Sequence, residues 1–548
     1  MSTVEVISLG GVGEIGKNCT VVRQGDDIVV LDCGLSFPNE EMPGVDIVIP
    51  DFTYLIENAA HVRGVFLTHA HEDHVGALPY LLQHIDVPIH ASEFTLALMK
   101  PKLDEQLPKR KLDLRPFQFG DILEAGALSV EPIRVTHSIP ENASFAVRTV
   151  HGIVLLTGDF KFDFTPVDGK LSNVTRFGEL AKEGVVLLLS DSTNVDRKGW
   201  GPSEKIVADG LRKVFLESPG RVLLTTFAST IHRMQQVYEV AAQTNRKVAV
   251  VGRRMEQNVE TCSRLGYMKI PPGTRISLEE TKNYPPEQLA ILTTGSQGEP
   301  LSALVQMSKG TYGRLQIQQG DTVIYSARPI PGNEAAIWRT INRLFRQGAR
   351  VVYGDDPPVH VSGHAYEEEL KLMLNLTRPY YFAPVHGERR HQYELARLAF
   401  QMDYPEHRVF LLDIGERLVV EETDARIEDR VPCGRVLVDN SGTPGVTDDV
   451  LRDRSNLSRE GVIAVTVAID VEMGEVVGDP YVQVRGVHSS EDVGKMVAKA
   501  LDDLLDSLNV DDLRDSDKVR HLLAEAARRV VQRSIQMRPL VLPTVVEV

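Results

Sequence analysis

The chain has 548 residues, 42% of them hydrophobic and 25% charged, with a formal net charge of −16. That length exceeds a single core and predicts about two to four domains. The acidic balance excludes a protein that coats nucleic acid with a basic surface, but it leaves room for a nuclease whose metal ions supply the local positive charge.

Val4–Leu9 alternates as a strand, so Met1–Gly10 reads as a strand start and not as a secretory leader. The glycine loop Gly10–Asn18 comes after it and mimics a phosphate-binding loop. Strand-like Cys19–Val22 and Ile28–Asp32 come next where a helix would be needed, so the pattern is a hairpin and not a βαβ nucleotide unit. Short buried strands are expected at Val65–Thr68, Ile153–Thr157 and Val185–Ser190. They end at a histidine cluster, at Asp159 and at Asp191, and strand C-termini are a recurrent place for chemistry.

From Pro202 to Gly354 helical stretches alternate with apolar strands at Arg221–Thr226, Val248–Val251, Leu289–Thr294, Asp321–Ser326 and Arg350–Tyr353. That rhythm predicts an α/β unit with a parallel sheet, inserted into a first domain that resumes at the strand Tyr380–Val385. Glycine and proline around 426–455 suggest a linker. A small α/β segment closes the chain, with strands at Gly461–Ile469 and Tyr481–Val487, helices at Ser490–Leu508 and Val519–Ser534, and a last strand at Pro539–Val548. Its acidic balance favours a dimerisation module over an RNA tether. No run of about 18 apolar residues occurs, so no membrane span is expected. Cys19, Cys33, Cys262 and Cys433 form no CxxC pair and read as buried thiols of a reducing, cytoplasmic compartment.

The densest chemical signal is Thr68-His69-Ala70-His71-Glu72-Asp73-His74, directly after a buried strand. A helix would scatter these side chains, whereas a loop leaving a strand can aim them at one point. Neutral imidazoles with carboxylates suit Zn²⁺ or Mn²⁺.

This HxHxDH pattern resembles the signature of the metallo-β-lactamase superfamily, and further motifs of that family occur in order. They are Asp32 in Leu31-Asp32-Cys33-Gly34, His137 in Thr136-His137-Ser138, Asp159 in Thr157-Gly158-Asp159-Phe160, and His386 in Pro384-Val385-His386-Gly387. The resemblance implies one ion on His69, His71 and His137 and a second on Asp73, His74 and His386. Asp159 would be shared and Asp32 would orient the ligands. It also implies a bridging hydroxide that attacks phosphorus, with Zn²⁺ placed ahead of Mn²⁺.

The insertion between Asp159 and His386 resembles the β-CASP group of nucleic-acid hydrolases, whose extra motifs match Asp191-Ser192-Thr193, His364 and His386. Gly10–Asn18, Phe227-Ala228-Ser229, Thr294–Pro300 and Ser326–Glu334 are similar to the bacterial ribonuclease J family, and the similarity extends over nearly the whole chain. The fold implied by this resemblance is an α/β metallo-β-lactamase αβ/βα sandwich over 1–201 and 355–425, with a β-CASP α/β domain inserted at 202–354. A linker at 426–455 and a small C-terminal α/β domain at 456–548 complete it.

The activity implied by the resemblance is 5′-to-3′ exonucleolytic and endonucleolytic cleavage of single-stranded RNA, favouring 5′-monophosphate ends, in RNA processing and decay. Ser229, His360, Ser362, Gly363 and His364 would contact RNA, the first four as a 5′-phosphate pocket, with His232 and Arg233 nearby. Asp73, Asp191 and His364 are the candidate catalytic groups, His364 as donor to the leaving oxygen. A homodimer through the C-terminal domain is expected. With 6% aromatic residues, base readout is not expected. A thioesterase, a DNA nuclease and a non-catalytic RNA-binding scaffold remain alternatives.

Overall fold

The computed structural model describes residues 3–39, 41–330, 332–422, 424–439, 441–488 and 492–548. Pro331 of the Ser326–Glu334 motif, the strand-start residues Met1 and Ser2, and Ser490 and Glu491 of an expected helix lie outside the described residues. The chain divides into two units, one of Met1–Phe37 with Val48–Val436, the other of Pro38–Ile47 with Leu437–Val548.

Two sheets face each other in the first unit. The eight-stranded sheet runs in the order Ala425–Glu428, Arg417–Val420, Val4–Gly10, Cys19–Gln24, Asp27–Leu31, Val62–Phe66, Ile89–Ala91, Leu114–Pro116. The six-stranded sheet is ordered Tyr381–Val385, Val185–Asp191, Gly152–Leu156, Asn142–Thr149, Leu128–Val135, Leu123–Ala125. Val6, Val29, Leu31 and Phe66 from one sheet pack against Val130, Phe145, Val154 and Leu187 from the other. Each such side chain stabilises the sandwich by about 1.5–3 kcal/mol relative to exposure. The far face of the six-stranded sheet is covered by the helices Val174–Glu183, Glu367–Thr377 and Arg389–Gln401, through Phe177, Leu180, Met373 and Leu398.

The inserted part of this unit is a five-stranded sheet in the order Lys247–Val251, Leu289–Thr293, Val222–Thr225, Thr322–Tyr325, Arg350–Val352. Every pairing in it is parallel. Parallel strands need crossovers, and these are helices whose apolar stripes cover both faces.

The glycine loop is the hairpin connection between antiparallel Val4–Gly10 and Cys19–Gln24. Gly11 adopts φ +81°, and its carbonyl accepts from the His386 N–H at 2.6 Å. Val12–Gly13 pairs with Gly387–Glu388. The loop therefore ties a late histidine to the start of the chain.

The second unit is built on Val462–Asp470, antiparallel to Tyr481–Arg485 and parallel to Leu540–Glu547. Alternate residues Ile463, Val465, Val467 and Ile469 are buried against the helices Val493–Leu505 and Ser516–Ile535. The stretch expected as a linker is not one throughout. It holds the strands Ala425–Glu428 and Arg435–Asp439 and the start of the helix Asp448–Glu460. Its glycines and prolines punctuate short elements, and Thr447 caps the helix by accepting from the Val450 N–H.

Candidate metal centre

Parallel pairing decides where the site forms. Asp27–Leu31 lies parallel to Val62–Phe66, and Gly152–Leu156, Val185–Asp191 and Tyr381–Val385 are mutually parallel neighbours. Their C-terminal ends share one edge of the sandwich. Asp32, His69, Asp159, Asp191 and His386 leave from those ends, and His137 comes just past the end of Leu128–Val135.

Three nitrogens converge first. His71 Nδ1 lies 2.9 Å from His69 Nε2 and 3.2 Å from His137 Nε2. Asp159 Oδ2 stands 3.7 Å and 3.6 Å from the same His69 and His137 atoms. Beside them, Asp159 Oδ1 lies 3.2 Å from His74 Nε2, and His386 Nε2 is 3.3 Å from Asp73 Oδ2. The ligating atoms of His69, His71, His137 and Asp159 all lie within 4.8 Å of one another, as do those of Asp73, His74, Asp159 and His386. Asp159 belongs to both groups.

These residues fit a pair of cations. Ligands about 2.0–2.1 Å from one ion stand about 3.0–3.4 Å apart, and the separations here run from 2.9 to 3.7 Å. Asp159 Oδ1 is buried and accepts no hydrogen bond. A buried carboxylate oxygen left so is costly unless a positive charge faces it.

Outer contacts aim the rings. His74 Nδ1 donates to Asp32 Oδ2 at 2.7 Å, and His69 Nδ1 donates to the Thr68 hydroxyl at 2.9 Å. His137 Nδ1 donates to the Gly363 carbonyl at 2.8 Å, and His386 Nδ1 to the Thr193 hydroxyl at 2.8 Å. In the first three cases Nε2 is left for the cluster, whereas His386 meets it with both nitrogens, Nε2 toward Asp73 and Nδ1 also 3.2 Å from Asp159 Oδ1. We expect Asp32→Asn to turn an amide N–H toward His74 Nδ1 and to weaken metal affinity by about 10- to 100-fold. Competition with a chelator measures this, and unchanged affinity would mean that His74 needs no such support.

Burial holds the titrations of His69 and His137 well below the usual histidine range and brings His71 down to about 4. Burial also acts on His74 and His386, but Asp159, with Asp32 and Asp73 for His74 and Asp191 for His386, overrides it. His74 is raised well above its ordinary value and His386 to about 10. Burial opposes charge on Asp73, Asp159 and Asp191, yet the surrounding imidazoles hold all three below the usual carboxylate range. A cage of anionic oxygens and neutral nitrogens that draws in protons is matched to divalent cations.

His364 stands at the edge of this cluster. Its Nδ1 donates to Asp191 Oδ2 at 2.8 Å, and its Nε2 lies 3.8 Å from Asp159 Oδ2. Asp159, Asp191, His364 and His386 form a third group that could hold an ion. Ser362 accepts from Asn194 Nδ2 at 2.7 Å. His360 Nδ1 is buried with no hydrogen-bond partner. Ser229 is part-buried on the loop leaving Val222–Thr225, and Thr230, which makes no side-chain cap bond, holds the N-cap position of the next helix.

Two residues expected beside the RNA are buried. Arg233 is 1% exposed, with its guanidinium engaged by Glu204, Ser326 and Val359. His232 is 8% exposed and lines a partly open pocket with Arg134, His137, Asp163, Asp168 and Lys170. The helix Ile231–Gln243 is buried on nearly every side, so polar residues at its start turn inward. Gly363 contributes in another way than expected. Its carbonyl orients His137, and a Cβ there would come 2.6 Å from the His137 ring.

Sequence reasoning gave no role to Asn18, Thr68, Thr193 or Asn194. Asn18 Nδ2 donates to the Asp73 carbonyl at 3.0 Å and lies 3.1 Å from His74 Nε2. Thr193 bridges Asp191 and His386. The signal was their place in the quoted motifs, Asn18 closing the glycine loop and Thr193 two residues after Asp191.

Four family models match the chain. They are the metallo-beta-lactamase superfamily at residues 12–200, the ribonuclease J beta-CASP domain at 219–344, the Zn-dependent metallo-hydrolase RNA specificity domain at 358–411, and the ribonuclease J C-terminal domain at 449–548. Ribonuclease J of Thermus thermophilus is 41% identical, covering 99% of this chain and 95% of its own. Ribonuclease J2 of Bacillus subtilis is 37% identical, covering 100% and 99%. A solved protein of unknown function from Enterococcus faecalis V583 shares the fold, with a TM-score of 0.55 at 18% identity, covering 76% of this chain and 100% of that one.

Proposed function

Because this chain belongs to the ribonuclease J family, metal-dependent ribonucleases of the metallo-β-lactamase superfamily, we propose that it degrades single-stranded RNA from a 5′-monophosphate end toward the 3′ end and also cleaves internally, in RNA processing and decay. The observation that carries this reading is the sharing of Asp159 between two ligand groups with His364 at their edge.

His69, His71 and His137 hold one divalent ion in this reading, and Asp73, His74 and His386 the other, with Asp159 between them and Zn²⁺ favoured over Mn²⁺ by the nitrogen-rich set. When bound, such a pair supplies an activated water and neutralises charge on the phosphoryl group. Asp73 orients the nucleophile. Asp191 fixes the His364 ring so that Nε2 faces the cluster and can protonate the departing ribose oxygen. Ser229, His360 and Ser362 hold the terminal phosphate, which sets the distance to the bond that breaks. The protein acts in the cytoplasm as a homodimer through its C-terminal unit.

Cleavage of 5′-monophosphate and 5′-triphosphate forms of one unstructured RNA tests the reading. Mononucleotides should accumulate from the monophosphate form, with exonucleolytic release at least about 10-fold slower from the triphosphate, the scale of losing one well-placed charged contact. Equal release from both would overturn the end-recognition part. No hydrolysis of either, with metal bound, would overturn the activity.

A further inference from the structure

We infer that Arg233 is a positioning residue, which with Glu204 clamps the two segments where the chain passes into and out of the inserted sheet and so sets the stance of His360–His364 against the metal cluster. The inference rests on the reading of that cluster and segment given above.

Glu204 lies where the chain enters the inserted part, and Val359 lies where it leaves. Arg233, from the helix Ile231–Gln243, joins them. Its Nε and Nη2 donate to Glu204 Oε1 at 2.9 and 2.6 Å, and its Nη1 donates to the Val359 carbonyl at 2.8 Å and to the Ser326 hydroxyl. The Ser326 hydroxyl donates to the same Val359 carbonyl at 2.7 Å. Val359 is the last residue before His360, so two donors fix the peptide from which the segment departs.

The network also reaches the metal side. The Glu204 N–H donates to Asp163 Oδ2 at 2.9 Å, and Lys161 Nζ lies 3.3 Å from that oxygen. Lys161 lies two residues beyond Asp159, and its N–H donates to the carbonyl of Thr136, the residue before His137. At the other end the Gly363 carbonyl accepts from His137 Nδ1. A circuit of polar contacts thus leaves the neighbourhood of His137 and Asp159, passes through Glu204 and Arg233, and returns to His137 through Gly363. Both members of the central pair are buried, Arg233 at 1% and Glu204 at 3% exposure. A buried ion pair is weak evidence for stability, since apolar residues of similar volume often replace it without loss. Its fork geometry, which fixes Val359, Ser326 and Glu204 relative to one another, is what an apolar pair could not supply.

The test compares wild type, R233K and the double variant R233M/E204L in the full chain at saturating divalent ion. Readouts are melting temperature, backbone hydrogen exchange, and kcat and KM on 5′-monophosphate RNA. We expect R233K to raise exchange at 359–364 selectively and to lower kcat by about 10- to 100-fold, with KM moving less than about threefold. The double variant should recover wild-type melting while kcat stays low and exchange at 359–364 stays high. Recovery of kcat together with melting in the double variant would reduce the pair to structural support and overturn the inference. So would unchanged exchange at 359–364 in R233K. If wild type itself fails to cleave RNA, the functional reading falls, while the exchange data still judge the clamp.

Discussion

Asp159→Asn should remove at least one ion per chain and lower RNA hydrolysis by roughly 10³-fold or more, the scale of losing a group that holds charge at the reacting centre. The reason is that both carboxylate oxygens have work. Oδ2 faces His69 and His137, and Oδ1 faces His74 and His386. An asparagine keeps the shape but offers one acceptor oxygen, and its amide nitrogen has no lone pair for a cation. One ligand group must therefore lose a member and face N–H dipoles directed at a positive ion. Metal content after dialysis, with circular dichroism to confirm folding, checks this. Retention of two ions with activity within tenfold of wild type would refute the shared-ligand arrangement.

His364→Ala is expected to lower kcat by about 10²- to 10⁴-fold while metal content stays at the wild-type level, the range for removing a positioned general acid. Two roles compete for this ring. Its Nδ1 is engaged by Asp191 at 2.8 Å, and its Nε2 points toward the cluster 3.8 Å from Asp159, which suits a proton donor. It also belongs to a group that could ligate an ion. The two roles separate by experiment. A phosphodiester with a nitrophenolate leaving group needs little protonation, so a general-acid defect should largely vanish on it. A ligand defect would persist on that substrate and would come with lost metal. Should the defect persist with both ions retained, the proton-donor role is wrong.

Much of the centre could be read from the residue string, because the chemistry is concentrated there. His69 and His71 lie on the loop after a buried strand, while Asp73 and His74, expected on that loop too, sit on the short helix Glu72–Val75, and no core role accounts for so many ligands side by side. The later members, His137, Asp159 and His386, were legible through the resemblance to the superfamily's ordered motifs, supported by the place of each just after an apolar strand. The β-branched, apolar run Gly461–Ile469 likewise announced a strand, and the structure buries its alternate residues.

His232 and Arg233 show where that kind of reading stops. Two basic residues beside Ser229 look like phosphate contacts when only neighbours along the chain are considered. Whether they face solvent depends on what packs around their helix, and here nearly every side is covered. The partners that neutralise Arg233 come from Glu204, Ser326 and Val359, and no local pattern predicts such pairings. The stretch expected as a linker carries short elements for a related reason: glycine and proline mark turns whether the pieces between them are ordered or not.

By itself the sequence carried the inserted parallel sheet, through its periodicity, and the candidate ligands in their order, through donor chemistry and the resemblance of their motifs to a known superfamily. Only the tertiary structure decided which nitrogen of each histidine faces the cluster, that Gly363 serves through its carbonyl, and that Arg233 is interior. Those outcomes depend on hydrogen bonds between residues far apart along the chain, and burial makes each such bond obligatory once the sheets close over it.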